Sequence, residues 1–157
     1  MKPKKEEKVE YKYADVTSKE GGGWLYTEIV KEHFFHPRNI FTTEKEAQEF
    51  EKTADGIGTV GNMACGDVMK MYIKINPKTN RITDCKWQTF GCASALASTS
   101  MLSEMVIGKT LEEARKITPH DIVNALGGLP ARKIHCSVLG DQALRAAIED
   151  YETRKKR

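Results

Sequence analysis

Apolar and polar residues alternate with a period of two in the middle of the chain. From Met69 to Ile75 every second side chain is apolar, which predicts a strand with one buried face. The segment 76–80 is rich in turn-forming residues, and 81–90 predicts the returning strand of an antiparallel hairpin. On one face of that strand we expect Thr83, Cys85, Trp87 and Thr89. The hairpin is the predicted centre of the fold.

Segments whose apolar residues have helical spacing lie before and after this hairpin in the sequence. Threonine residues suited to N-capping precede four of the helical segments; they are Thr27, Thr43, Thr110 and Thr118. The predicted helices cover Thr27 to just before His36-Pro37, then 43–54, 93–107, 111–117, 121–126 and about 135–151. This arrangement predicts an α+β fold in which a small antiparallel sheet packs against several helices.

Length and charge divide the chain into a body and two terminal segments. The 157 residues, 39% of them hydrophobic, predict one domain. The net charge of +3 resides in the tail, because residues 151–157 hold four basic residues and one acidic residue. We therefore predict a disordered extension over 1–23, a domain over 24–151 and a basic tail over 152–157. A neutral body disfavours nucleic-acid binding.

The sequence predicts a cytoplasmic protein with reduced cysteines. It contains no apolar run long enough to span a membrane, and its N-terminus resembles neither a signal peptide nor a transit peptide. In a reducing compartment, cysteines are more often thiols, metal ligands or catalytic groups than disulfides.

The four cysteines fall into two groups. Cys85 lies mid-strand beside Trp87 and is interpreted as a small buried hydrophobic residue. Cys65, Cys92 and Cys136 lie at boundaries between elements, and a helix N-terminus favours a thiolate at the last two.

Two further side chains add ligand atoms to these boundary cysteines. Asp67 and His135 would complete a set suited to tetrahedral zinc or to iron in a cluster. No CxxC motif is present, so spacing alone leaves open a metal site and scattered inert cysteines.

The segments around the three boundary cysteines carry a family resemblance. They read Ala64-Cys65-Gly66-Asp67, Thr89-Phe90-Gly91-Cys92-Ala93-Ser94 and Lys133-Ile134-His135-Cys136-Ser137. In order and separation they resemble the cysteine motifs of the iron–sulfur cluster assembly scaffolds, the IscU family or NifU N-terminal domain. The resemblance extends from about Trp24 to Tyr151 and includes His36-Pro37-Arg38-Asn39 and the segment 108–114.

The resemblance implies a non-enzymatic scaffold with a SufE-type architecture. Such a protein accepts sulfur from a cysteine desulfurase, receives iron and assembles a [2Fe–2S] cluster for transfer to apo-proteins. Cys65, Cys92 and Cys136 would be its ligands, with Asp67 controlling cluster lability and His135 as an alternative fourth ligand. Cys136 is the expected persulfide acceptor, because it lies at a helix start close to Arg132 and Lys133. A ferredoxin-like electron donor is the further partner implied.

The chain departs from the family pattern at two motifs and in one length. Residues 61–64 replace the usual Gly-Ala-Pro before the first cysteine. Residues 129–133 replace Leu-Pro-Pro-Val-Lys, which weakens the expectation of an Hsp70-type chaperone partner. The segment 39–56 is longer than the family pattern suggests, whereas 67–92 lacks the insertion of the zinc-dependent SufU branch.

Three alternatives compete with the scaffold interpretation. Gly56 to Gly61 matches GxGxxG, but no predicted strand precedes it, so we interpret its glycines as mobility for the Cys65 loop. The adjacent His135 and Cys136 do not indicate a hydrolase, because sequence adjacency does not place a base beside a nucleophile. A zinc protein, either structural or a sulfur relay of SufU type, would use the same ligands. Helix-end positions are preferred to metal binding for His33 and His36.

Overall fold

The computed structural model describes residues 27–62, 67–90, 93–129 and 137–156. The predicted extension over 1–23 lies outside these residues. Within them the fold is α+β, as the sequence predicts. The elements in chain order are α1 (Glu28–Phe35), α2 (Glu44–Glu51), β1 (Gly56–Asn62), β2 (Asp67–Asn76), β3 (Arg81–Phe90), α3 (Ala93–Val106), α4 (Leu111–Arg115), α5 (Pro119–Ala125) and α6 (Ser137–Lys155).

The four predicted threonine N-caps are confirmed, and α5 begins at Pro119, two residues before its predicted start. The Thr27 and Thr43 side chains accept hydrogen bonds from backbone N–H groups in the first turns of α1 and α2. Thr110 and Thr118 form complete capping boxes with acidic residues three positions later. These bonds satisfy N–H groups that have no partner within the helix, so helix starts are better specified than helix ends.

The sheet is an antiparallel meander in the order β1-β2-β3. The predicted hairpin is confirmed as β2 and β3, whereas β1 was not predicted. The expected face of β3 is correct for Cys85 and Trp87, which are fully buried, but wrong for Thr83, which is exposed. A register shift places Ile75 opposite Ile82 while Lys74 remains opposite Asp84, so one extra residue of β3 bulges outward. Ile82 is buried in its place.

The main core lies between the sheet and the helices. Side chains from β2 and β3 meet residues of α1, α3, α4, α5 and α6 there. Its largest fully buried members are Trp87, Met69, Met71, Ile73, Ile82, Leu102, Leu111, Ile122, Leu126, Leu144 and Ile148. Burying such side chains stabilises the fold by roughly 1.5–3 kcal/mol each before the cost of ordering the chain.

Helix α2 forms a second, smaller layer on the opposite face of the sheet. Its Ala47 is fully buried, and Phe50 packs edge-to-face on Tyr72 of β2. Phe41, just before the helix, contacts both rings at centroid distances of 5.4 and 5.2 Å. The longer segment after Asn39 therefore covers part of the outer sheet face.

Two glycines of β1 have a role different from the one the sequence suggested. A Cβ on Gly56 would lie 2.2 Å from the Ala147 carbonyl oxygen, and one on Gly58 would lie 2.2 Å from that of Ala143. Both glycines are buried within the strand. The interpretation as loop mobility was wrong for this pair, because they allow the α6 backbone to pack directly on β1. The strand also lacks the nucleotide-binding context that GxGxxG requires.

Candidate metal centre

The described residues on either side of three cysteine-containing segments meet at one end of the sheet. Asn62, the last residue of β1, pairs with Asp67, the first of β2. Val68 in turn pairs with Phe90, the last residue of β3. Directly paired residues of antiparallel strands lie roughly 5 Å apart. The chain therefore enters and leaves the Cys65 segment beside the point where it enters the Cys92 segment.

The start of helix α6 is directed toward the same end. The Cβ position of Gly56 lies against Ala147 and Tyr151, whereas that of Gly58 lies against Ala143 and Ala147. As residue numbers rise along β1, the numbers of the contacted residues in α6 therefore fall. The helix runs antiparallel to the strand, so its first residue, Ser137, is directed toward the end where β1 finishes.

The predicted ligand side chains themselves lie beyond what the structure describes. Cys65, Cys92, His135 and Cys136 fall outside the described residues, and for Asp67 only the backbone is described. Among the described side chains, no group of three His, Cys, Asp or Glu residues is close enough to hold a metal. The convergence of the flanking backbone is the structural observation that bears on the site.

Cys85 is distinct from this end of the molecule. It pairs with Ile73 in the middle of the hairpin and its side chain is fully buried. Burial raises the pKa of its thiol to about 12. A thiol held protonated near neutral pH neither binds metal nor attacks sulfur. The prediction that Cys85 is structural is confirmed.

The segment 36–39 holds α1, α3 and β3 together, a role that the sequence did not reveal. The backbone N–H of Arg38 donates to the Ser100 hydroxyl at 2.8 Å, and the indole N–H of Trp87 donates to the Arg38 carbonyl at 2.8 Å. Asn39 adopts a left-handed conformation with φ of 63°, which asparagine tolerates better than most residues. Its side chain donates to Ser103.

His33 belongs to the same network. Its Nδ1 lies 2.7 Å from the Ser100 hydroxyl, and burial lowers the pKa of the ring. His36 caps the C-terminal end of α1, and its backbone N–H donates to the Glu32 carbonyl. The expectation of helix-end positions rather than metal ligands agrees with these contacts.

Comparison of the amino-acid sequence with known proteins identifies the family. Residues 25–157 match the family model of the NifU-like N-terminal domain. The chain belongs to this family. It is 54% identical over 127 residues to the iron-sulfur cluster assembly scaffold protein IscU 1 of Archaeoglobus fulgidus, spanning 81% of this chain and 76% of that protein. IscU of Aquifex aeolicus is 46% identical over 132 residues, spanning 84% and 79%.

Two further relatives show that the chain corresponds to only part of NifU, and one of them is a solved N-terminal structure. It is 47% identical to the nitrogen fixation protein NifU of a Nostoc species over 82% of its own length but only 42% of NifU. The solved N-terminal structure of a nitrogen-fixing NifU-like protein from Brucella abortus aligns with a TM-score of 0.57 and 21% identity, over 83% of this chain and 96% of that one. That alignment supports the fold.

Helix α3 of this NifU-like domain carries several buried hydroxyl side chains. Five hydroxyl side chains of that helix are fully buried; they are Ser94, Ser98, Thr99, Ser100 and Ser103. Ser98 donates to the backbone carbonyl of Ser94 at 2.6 Å, which satisfies its hydroxyl within the helix.

No helix among the described residues is long and apolar enough to cross a membrane.

Proposed function

We propose that this chain is a scaffold on which iron and sulfide are assembled into a [2Fe–2S] cluster that passes to apo-proteins. The observation that carries the proposal is the meeting of β1, β2, β3 and α6 at one end, each bordering a cysteine-containing segment. Membership of the NifU-like family and identities of 46–54% to proteins named IscU scaffolds support it. The cluster is cargo in this scheme.

The proposed ligands are the three boundary cysteines. Cys65, Cys92 and Cys136 would supply thiolates, which bind iron strongly, and Asp67 or His135 would supply the fourth donor. Carboxylate oxygen and imidazole nitrogen hold iron less tightly than thiolate does. One weakly bound ligand position allows the cluster to dissociate, which a carrier protein requires.

The proposed sulfur route begins with a cysteine desulfurase carrying a persulfide. The Cys136 thiolate attacks the terminal sulfur, a new S–S bond forms on Cys136, and the desulfurase cysteine leaves as a thiolate. Two electrons from a ferredoxin-type donor then convert that sulfur to sulfide and regenerate the Cys136 thiolate. Cys65 is the second candidate acceptor. Apo iron–sulfur proteins are the acceptors of the finished cluster.

Anaerobic reconstitution tests the scaffold proposal directly. The full chain is incubated with iron, cysteine and a desulfurase, then examined by visible absorption and metal analysis. Single Cys→Ser variants at positions 65, 92 and 136 should lose the visible chromophore. Cys85→Ala is the matched control and should retain it, because that thiol is buried in the hairpin core. Zinc in equimolar amount with no chromophore would contradict the proposal and favour a zinc protein.

Two further measurements separate the roles within the site. Asp67→Ala should retain the cluster longer and transfer it more slowly to an apo-ferredoxin, and equal transfer rates would contradict its role in lability. Peptide mass spectrometry after one desulfurase turnover without iron should find the added sulfur mainly on Cys136. Sulfur chiefly on Cys92 would refute the proposed route while leaving the scaffold function standing.

A further inference from the structure

Helices α3 and α6 approach each other at a glycine. A Cβ on Gly140 would lie 2.9 Å from the Thr99 hydroxyl oxygen and 3.3 Å from Cδ2 of Leu102. Both distances are shorter than ordinary van der Waals contact, so a larger residue at 140 would press on these two side chains, whereas Cα of Thr99, at 3.6 Å, is at an ordinary contact distance. Glycine has a lower helix propensity than alanine, so its presence at 140 is explained by the close approach.

Thr99 makes this contact at an energetic cost. Its side chain is fully buried, and the described residues provide no hydrogen-bond partner for its hydroxyl. A buried hydroxyl without a partner destabilises a protein, whereas a valine of nearly the same shape would not. Stability alone therefore does not account for Thr99 opposite Gly140. A buried polar group without a hydrogen-bond partner is expected where function constrains the residue at that position.

The contact lies close to the starts of both helices. Gly140 is in the first turn of α6, which begins at Ser137, and Thr99 is in the second turn of α3, which begins at Ala93. Each helix start follows directly in sequence after a proposed ligand, Cys136 or Cys92. A change of separation at the contact would reach both starts over roughly 5–9 Å of helix, at 1.5 Å per residue.

We infer that Gly140 and Thr99 are positioning residues that set the separation of the α3 and α6 starts and thereby the geometry of the metal-binding thiolates. The inference rests on the proposed function. Metal–ligand distances tolerate deviations of only about 0.2 Å, and residues that orient ligands commonly change metal affinity by about 10- to 100-fold. A methyl group at 140 would lie about 0.5 Å inside ordinary contact with the Thr99 hydroxyl, so either the Thr99 side chain turns or the two helices move apart. We expect the helices to move, because the Thr99 side chain is fully buried.

Anaerobic titration of the full chain with Co²⁺ tests this inference. Thiolate ligation gives charge-transfer absorption, and the visible d–d bands report the coordination geometry. Gly140→Ala should bind Co²⁺ about tenfold more weakly with displaced d–d bands, while it still unfolds in a single cooperative urea transition, because the higher helix propensity of alanine offsets part of the cost of the tighter contact. The double variant Gly140→Ala with Thr99→Ala removes the obstructing hydroxyl and should recover the affinity and the spectrum. Gln142→Ala, exposed on the same helix, is the matched control.

Each outcome decides between the two proposals. Absence of thiolate bands from the unmutated protein would overturn the proposed function and this inference with it. Normal bands and unchanged affinity in Gly140→Ala would overturn the inference alone. The same holds if Gly140→Ala fails to fold, or if the double variant does not recover, because the contact would then be a requirement of folding and not of ligand geometry.

Discussion

Gly58→Ala should destabilise the protein severely, because the methyl group would meet backbone. Its Cβ would lie 2.2 Å from the Ala143 carbonyl oxygen and 2.5 Å from the Ala147 backbone nitrogen. Ordinary contact begins near 3.4 Å, so α6 would have to withdraw from β1 by about 1.2 Å. A side chain could rotate away from such an obstacle, but helix backbone cannot.

The expected magnitude follows from what α6 buries. Its inner face holds Ala143, Leu144, Ala147 and Ile148 in the core, and all four would lose close packing as the helix moves. Overpacking costs about 1–3 kcal/mol, and the immobility of the obstacle places this case near the upper value. The lower backbone entropy of alanine in the unfolded chain offsets about 0.5–1 kcal/mol. A net loss of about 2 kcal/mol corresponds to a fall in Tm of roughly 4–8 °C.

Urea unfolding followed by circular dichroism measures this loss. Thr59→Ala is the matched control, because Thr59 is the next residue of the same strand and its side chain is exposed. We expect the control to change the free energy of unfolding by less than about 1 kcal/mol. If Gly58→Ala were no more destabilising than Thr59→Ala, the close approach of β1 and α6 would be refuted.

Three other predictions concern buried polar groups. Iodoacetamide applied to the native protein at pH 8 should leave Cys85 unmodified, because the pKa of its thiol is about 12; alkylated Cys85 in peptide mass spectra would contradict its burial. Burial lowers the pKa of His33 from its ordinary 6.5, so the unfolded chain binds the proton more readily and the free energy of unfolding should fall as pH drops below 6.5. His33→Asn should show a shallower fall in urea titrations at pH 7, 6 and 5, and an identical slope would contradict this. Trp87→Phe removes the donor to the Arg38 carbonyl and should cost at least about 1 kcal/mol in thermal unfolding; an unchanged Tm would contradict that bond's contribution.

The parts of the fold that the sequence predicted are those specified by local chemistry. Thr110 and Thr118 act through residues three positions away, so their capping boxes are visible in the sequence. Alternation across Met69 to Ile75 needs no knowledge of the rest of the fold. Thr83 was misplaced because the register shift near it depends on pairing between two strands. Strand β1 was not predicted because three of its seven residues are glycines, which leave no alternation of apolar and polar side chains in the sequence.

For the candidate site, the structure confirms the prediction that Cys85 is buried in the hairpin, whereas the ligand roles of Cys65, Cys92 and Cys136 stay predictions. Position within an element separates Cys85 from Cys65, Cys92 and Cys136, because mid-strand parity and helix starts are local properties. The contact of Thr99 with Gly140 has no such signature, since it depends on how closely two helices approach at residues 41 positions apart in the sequence. The proposed site therefore draws on two kinds of information. The proposed ligands lie in short sequence motifs, whereas the geometry we infer for them depends on helix contacts that form only in the folded chain.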